Sequence, residues 1–171
     1  MPTRSSLARL TQFITLSTLL AAAGWLAWHW SRSPAVAVAG ALAILFFYSA
    51  VLALEFIALY FVSKADTTPA PTWGEIAAAW AGETFSAVQV FCWRMPFRWR
   101  QVPDLVEGGG LAGRTGVVFI HGFVCNRGIW TPWLRELASQ QRAFAAVNLE
   151  PLFGSIDHYA QCIDEIGRAH V

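Results

Sequence analysis

The sequence is short of charge. Only 13% of its 171 residues are Asp, Glu, Lys or Arg, whereas soluble domains carry about 25%. The formal net charge is +1, which is too small for a protein that binds nucleic acid through phosphate contacts. We therefore expect no nucleic-acid partner.

Cysteine is also scarce. The three cysteines, Cys92, Cys125 and Cys162, are an odd number, and no two of them have the spacing of metal ligands. This pattern excludes a disulfide framework and a zinc site as first hypotheses. We expect reduced, buried thiols, and the sequence predicts no metal and no other cofactor.

Hydrophobic residues make up 56% of the chain, and most of the excess lies in two apolar runs. Residues 10–30 carry no charge and end in a cluster of tryptophans, as membrane-spanning helices often do at the interface. Residues 35–62 form a second run that is interrupted only by Glu55. Since about 20 apolar residues cross a bilayer, residues 1–62 are predicted to be a membrane anchor with two transmembrane helices.

A cleavable signal peptide is the alternative for the first run, because Ala21–Ala23 resembles a cleavage site. The hairpin is favoured because the apolar stretch continues past these alanines and a second run follows at once.

Basic residues predict the orientation of this hairpin. Arg4 and Arg9 precede the first run and Lys64 follows the second, whereas only Arg32 lies in the turn. Basic residues favour the cytoplasmic side, so we expect both ends of the hairpin, and everything after residue 63, in the cytoplasm.

Residues 63–115 are predicted to be a linker with an amphipathic or interfacial helix. Apolar residues recur at helical spacing over 73–91, and the stretch 93–100 then alternates arginine with tryptophan. Such a stretch suits the surface of an anionic bilayer; alternatively, the helix packs on the domain that follows. The glycines at 108–110 predict a flexible loop.

Residues 116–165 have the pattern of an α/β domain. Residues 116–123, GVVFIHGF, suggest a strand buried on both faces, and Thr131-Pro132 is typical of a helix start, with Thr131 as the N-cap. A second strand is predicted at 143–149 and a helix capped by Ser155 from residue 156. The order strand–helix–strand–helix predicts a parallel sheet with covering helices.

The segments HGFVCNRGIWTPWL and AVNLEPLFGSIDHY resemble the α/β-hydrolase superfamily, in particular bacterial lipase/esterase-like members with N-terminal membrane helices. The resemblance covers roughly residues 95–165 and implies the start of an α/β-hydrolase sheet. It further implies a multi-pass protein of the bacterial inner membrane that acts on a small apolar ester.

The resemblance also implies a site. A strand that ends in His-Gly leads, in this family, into a loop that forms half of the oxyanion hole. The main-chain N–H of Phe123 would be one donor, Gly122 would let the backbone approach the substrate, and His121 would shape the loop without being the catalytic histidine. The alternative for His121 and Gly122 is an ordinary turn after a strand.

The triad of such an enzyme is missing from the sequence. No Gly-x-Ser-x-Gly nucleophile motif occurs, and Asp157, His158 and Asp164 share one predicted helix, where they cannot serve as acid and base. We expect the nucleophile, acid and base to lie beyond the end of this fragment, which would therefore be inactive. Residues 166–171, IGRAHV, match a translated sequencing-library adapter, so we expect the natural sequence to diverge at about Glu165.

The sequence therefore predicts a membrane-anchored serine hydrolase that cleaves acyl esters through a serine–histidine–acid triad. The first alternative is the same fold with another nucleophile, such as an aspartate acting on epoxides or haloalkanes. The second is a non-enzymatic membrane protein, transport-associated for example, whose hydrolase-like part only binds a partner.

Overall fold

Helix dominates the chain. A computed structural model describes residues 4–63, 69–106 and 115–168 and is 70% helical. Two compact units are present. We call Phe13–Gln89 the helical unit, and Met1–Gln12 together with Val90–Val171 the terminal unit. Lys64 and the predicted glycine loop at 108–110 lie outside the described residues.

The two predicted apolar helices are present near the N-terminus. Helix α1 is Ser6–Trp30 and helix α2 is Pro34–Ser63. By length and composition, both are long and apolar enough to cross a membrane. The turn between them is tight: the N–H groups of Arg32 and Ser33 both donate to the carbonyl of His29, and α2 then begins at a proline.

Close packing at the turn end of this hairpin depends on a glycine. The Trp25 indole N–H donates to the Val36 carbonyl at 3.2 Å, and a Cβ on Gly40 would lie only 1.9 Å from the indole nitrogen. Small residues allow this approach between apolar helices. Position 40 therefore tolerates only glycine in this arrangement.

Helix α3, Trp73–Ala87, begins at a capping box. The Glu75 N–H donates to the Thr72 hydroxyl, and the Glu75 carboxylate accepts from the Thr72 N–H at 2.7 Å. This backbone hydrogen bond lowers the pKa of Glu75. The helix packs on α2 through polar contacts, since the Trp80 indole donates to the Ser49 carbonyl at 2.9 Å.

A π-helical segment, Val88–Arg98, follows α3 directly. Its last turn has carbonyls without helical partners, and side chains satisfy two of them. The Asn126 amide donates to the Met95 carbonyl at 2.9 Å, and the Gln12 amide donates to the Pro96 carbonyl at 2.7 Å. Met95 and Pro96 themselves are buried.

The start of α1 belongs to the terminal unit. Leu7 and Ala8 are buried there, at 1% and 3% exposure. The N–H of Ser6 donates to the Glu150 carboxylate at 2.7 Å, and the Ser6 hydroxyl donates to the same carboxylate. An acidic group at this position also complements the positive end of the helix dipole.

The predicted fold class, the start of an α/β-hydrolase sheet, is wrong. The described residues hold only two strands, β1 at Val117–Phe119 and β2 at Phe144–Ala146, each three residues long and paired in parallel. The far edge of β2 is occupied by Leu105, which forms an antiparallel bridge to Phe144. Within the described residues no further strand joins the sheet, and β1 is not buried on both faces, since Val118 is 47% exposed.

The helices of this unit also differ from the predicted boundaries. A 3₁₀ turn, Arg127–Trp130, precedes helix α4, Thr131–Ser139, and helix α5 is Ile156–Arg168. Thr131 is the first residue of α4 and not its N-cap, because its backbone is already helical; its hydroxyl donates back to the Gly128 carbonyl. A small core joins the strands to α4; its buried residues are Val102, Leu134, Phe144 and Ala146, against which Leu105, Val117, Phe119, Trp130, Leu137 and Ala138 pack.

Candidate functional site

The loop that follows β1 contains the three residues singled out by the sequence: His121, Gly122 and Phe123. His121 is buried at 7% exposure. Its Nε2 accepts from the Leu149 N–H at 3.0 Å, and its Nδ1 lies 2.9 Å from the Gly122 carbonyl. Because Nε2 is an acceptor, the ring is neutral with its proton on Nδ1. His121 therefore ties this loop to the segment that follows β2.

Burial lowers the pKa of His121, while the Gly122 carbonyl and the Glu150 charge act in the opposite direction. The unfolded chain thus takes up this proton at higher pH than the folded chain. We expect the free energy of unfolding to fall as pH drops below about 6.5, the ordinary value, and to level off below the folded-state pKa. Denaturation at several pH values should show a smaller slope for His121→Gln. An equal reduction for His158→Gln, a change at an exposed histidine, would show that His121 is not the group responsible.

Gly122 and Phe123 lie in an open part of the loop. A Cβ added to Gly122 would meet no atom within 4 Å, and its φ is not in the left-handed region. Neither packing nor backbone geometry within the described residues therefore requires glycine here. The Phe123 N–H forms no hydrogen bond within the described residues, and the Phe123 ring is 74% exposed. The loop thus presents a free main-chain donor beside an unobstructed backbone.

The ring of Phe123 lies near a second exposed aromatic ring. The Phe123 ring lies 5.6 Å from that of Phe153, which is 76% exposed. Val124, the next residue, has a φ of 54°. A β-branched residue in this region is a genuine outlier, and such conformations cost about 1–3 kcal/mol. The loop is held in this shape by contacts at its two ends.

The far end of the loop is fixed by Asn126. Its side-chain oxygen accepts from the Gly128 N–H at 2.9 Å, while its amide donates to Met95. The next residue donates its N–H to the Asn148 side chain at 2.8 Å. A Cβ on Gly128 would lie 2.8 Å from the Arg94 carbonyl, so the π-helical segment and the loop approach each other closely at this glycine.

A buried ion pair joins the loop to the segment before β1. Arg127 is 3% exposed, and its Nη2 donates to Asp104 Oδ1 at 2.7 Å and to the Val102 carbonyl at 2.8 Å. Asp104 Oδ1 also accepts from the Ala146 N–H at 3.0 Å. The pair therefore links three segments of the terminal unit. Sequence reasoning missed Asp104, Asn126 and Arg127, because residues 21–42 positions apart, with no shared periodicity, give no local signal.

Other polar residues nearby are engaged elsewhere. The Ser155 hydroxyl accepts from the His158 N–H at 3.2 Å at the start of α5. The His158 ring lies 3.0 Å from the Glu150 carbonyl and 3.7 Å from Cys162 Sγ. In the described part of the chain, no three His, Cys, Asp or Glu side chains are grouped to hold a metal ion.

The cysteines are free and unevenly exposed. Cys125 and Cys162 are partly buried, and burial raises the pKa of the Cys125 thiol. The expectation of buried thiols is wrong for Cys92, which is exposed on the π-helical segment.

Comparison with protein-family models, curated proteins and solved structures found no match to this chain.

Proposed function

We propose that this chain anchors an acyl-ester hydrolase to a membrane through α1 and α2 and supplies one donor of its oxyanion hole. The proposed oxyanion role rests on the N–H of Phe123, which has no hydrogen-bond partner within the described residues and lies beside Gly122. Ester cleavage develops negative charge on the former carbonyl oxygen, and a fixed main-chain donor stabilises that charge.

The donor is held in place by its surroundings. His121 fixes the loop to Leu149 on one side, and Asn126 fixes it to Met95 on the other. A preorganised donor needs no reorientation when charge develops, which is the condition for a large contribution to catalysis. The exposed rings of Phe123 and Phe153 offer an apolar contact for the acyl or alkyl part of an ester.

The proposed orientation places both ends of the hairpin on the cytoplasmic face of a bacterial inner membrane. Two helices in succession bring the chain back to the side from which it started. The packing of Leu7 and Ala8 inside the terminal unit supports this arrangement, since residues 4–12 must then lie on the same side as residues 115–168. The basic residues Arg4 and Arg9 agree with the cytoplasmic side.

The proposal places the nucleophile outside these 171 residues, which contain no Gly-x-Ser-x-Gly. A fluorophosphonate probe, which reacts with activated serines, tests it. We expect the probe to label the full-length protein in membranes and to abolish its hydrolysis of a short-chain nitrophenyl ester. We expect no labelling of the 171-residue chain above a heat-denatured control.

Two outcomes would contradict the proposal. Labelling of the 171-residue chain would mean that a nucleophile lies within it. A full-length protein that neither reacts with the probe nor cleaves the ester would favour another nucleophile or a non-enzymatic role.

A further inference from the structure

The π-helical segment has two different faces within the terminal unit. Met95 and Pro96 are buried, whereas the opposite face is exposed, with Trp93 at 53% and Phe97 at 42%. Arg98 is exposed too, and the turn that follows the segment adds the half-buried Trp99 and the exposed Arg100. We call these five residues, Trp93, Phe97, Arg98, Trp99 and Arg100, the Arg–Trp surface.

Aromatic rings hold both arginines of this surface. The guanidinium carbon of Arg98 lies 5.1 Å from the centre of the Trp93 ring, and that of Arg100 lies 4.3 Å from the centre of the Trp99 ring. A guanidinium stacked on a ring keeps its N–H donors directed outward in the plane. The two heads are therefore positioned but still able to bind an anion.

Within the described residues, no carboxylate forms a salt bridge with either arginine. The described residues form a salt bridge between Arg127 and Asp104, but none to Arg98 or Arg100. From residue 84 to residue 103 the sequence contains three arginines and no acidic residue. The surface thus combines unpaired positive charge with large exposed aromatic area.

Gln12 of α1 contacts the segment that carries this surface. Its amide donates to the Pro96 carbonyl at 2.7 Å, and it is the last α1 residue of the terminal unit. Phe13, the next residue, is apolar and 69% exposed. From Phe13 to Trp30, α1 extends for about 27 Å, close to the roughly 30 Å of a hydrocarbon core. Gln12 thus joins the segment that carries the Arg–Trp surface to the last α1 residue before the apolar run.

We propose that the Arg–Trp surface binds the phosphate of an anionic phospholipid in the leaflet that α1 enters. The inference rests on the membrane anchoring proposed above, but not on the hydrolase activity. Arg98 and Arg100 would contact the phosphate, for which a guanidinium has matching geometry. Trp93 and Trp99 would lie at the interface, where such rings prefer to be, and Phe97 would contact the upper acyl chains.

The test is lipid binding by the full chain in detergent, measured by native mass spectrometry. Phosphatidylglycerol and phosphatidylcholine of the same acyl chains are titrated in parallel, and inorganic phosphate is added as a competitor. We expect phosphatidylglycerol to be preferred, and Arg98→Gln/Arg100→Gln to weaken its binding about 10- to 30-fold.

The matched control is Arg135→Gln/Arg142→Gln, which removes the same charge from exposed positions of the same unit. We expect it to bind phosphatidylglycerol as the unaltered chain does. An equal loss in both double variants, no preference between the lipids, or complete displacement by inorganic phosphate would each overturn the inference.

A second measurement separates this inference from the anchoring itself. A spin label on the exposed Cys92, in a Cys125→Ser/Cys162→Ser background, reports its depth in phosphatidylglycerol vesicles through collisions with oxygen and a nickel chelate. We expect the label at the level of the headgroups. A chain that does not float with the vesicles would contradict the anchoring. A chain that floats with the label in bulk water would contradict the Arg–Trp surface alone.

Discussion

Replacement of Asp104 by alanine is expected to lower the free energy of unfolding of the terminal unit by about 3–5 kcal/mol. The change leaves the Arg127 guanidinium, only 3% exposed, without its counter-charge. It also removes the acceptor for the Ala146 N–H at the end of β2. An unpaired buried charge is more costly than the pair is favourable, which is why the loss exceeds that of an ordinary hydrogen bond.

Urea denaturation in detergent, followed by near-ultraviolet circular dichroism, measures this effect. Asp157→Ala is the matched control, since Asp157 is an exposed carboxylate on α5, and we expect a loss of less than about 1 kcal/mol there. The double change Asp104→Leu/Arg127→Met removes both charges and should be less damaging than Asp104→Ala alone. Equal losses for Asp104→Ala and Asp157→Ala would show that the pair contributes little.

The second large effect follows from the proposed oxyanion role of the Phe123 N–H and is measured in the full-length protein that the proposal requires. Phe123→Pro removes this donor outright, and we expect kcat to fall by about 10²–10³. Phe123→Ala keeps the main-chain N–H and removes only an exposed ring, so kcat should change much less. Rates of ester cleavage at saturating substrate give this comparison, and far-ultraviolet circular dichroism checks that both variants fold.

Gly122 provides an independent control of the same site. A Cβ at this position meets no atom within 4 Å, so Gly122→Ala and Gly122→Val should both fold. Gly122→Val should nevertheless lower kcat as strongly as Phe123→Pro, because its branched side chain would obstruct the approach of substrate. Folded Pro and Ala variants of Phe123 with equal kcat would mean that this loop supplies no oxyanion donor.

The parts of the fold that the sequence predicted are those determined by local pattern. Helices α1 and α2 were recognised because each is a continuous apolar run, and their boundaries differ from the predicted 10–30 and 35–62 by at most four residues. The helix predicted at 73–91 begins at Trp73, where Thr72 and Glu75 form a capping box.

The predicted strands were too long because an apolar run does not show which segments will pair with it. Residues 116–123 and 143–149 were expected to be strands, yet each contributes only three residues to the sheet. The neighbour of β2 is Leu105, from a segment assigned to the linker. Strand length depends on such partners, which lie far away in the sequence.

The candidate site was predictable only in part, for the same reason. His121, Gly122 and Phe123 are adjacent in sequence, so a single motif drew attention to all three. The residues that hold their loop, Asn126 and Asp104 among them, act through partners 23–42 positions away. No composition or spacing rule connects such residues before the chain is folded.

The contact between Ser6 and Glu150 has a consequence for biosynthesis, because the two residues are 144 positions apart. A ribosome adds about 5–20 residues per second, so Glu150 is made roughly 7–30 s after Ser6. During that interval Leu7, which is 1% exposed in the finished protein, has no core to enter. The terminal unit therefore cannot complete this packing until residue 150 has been translated, although it forms around residues that were translated first.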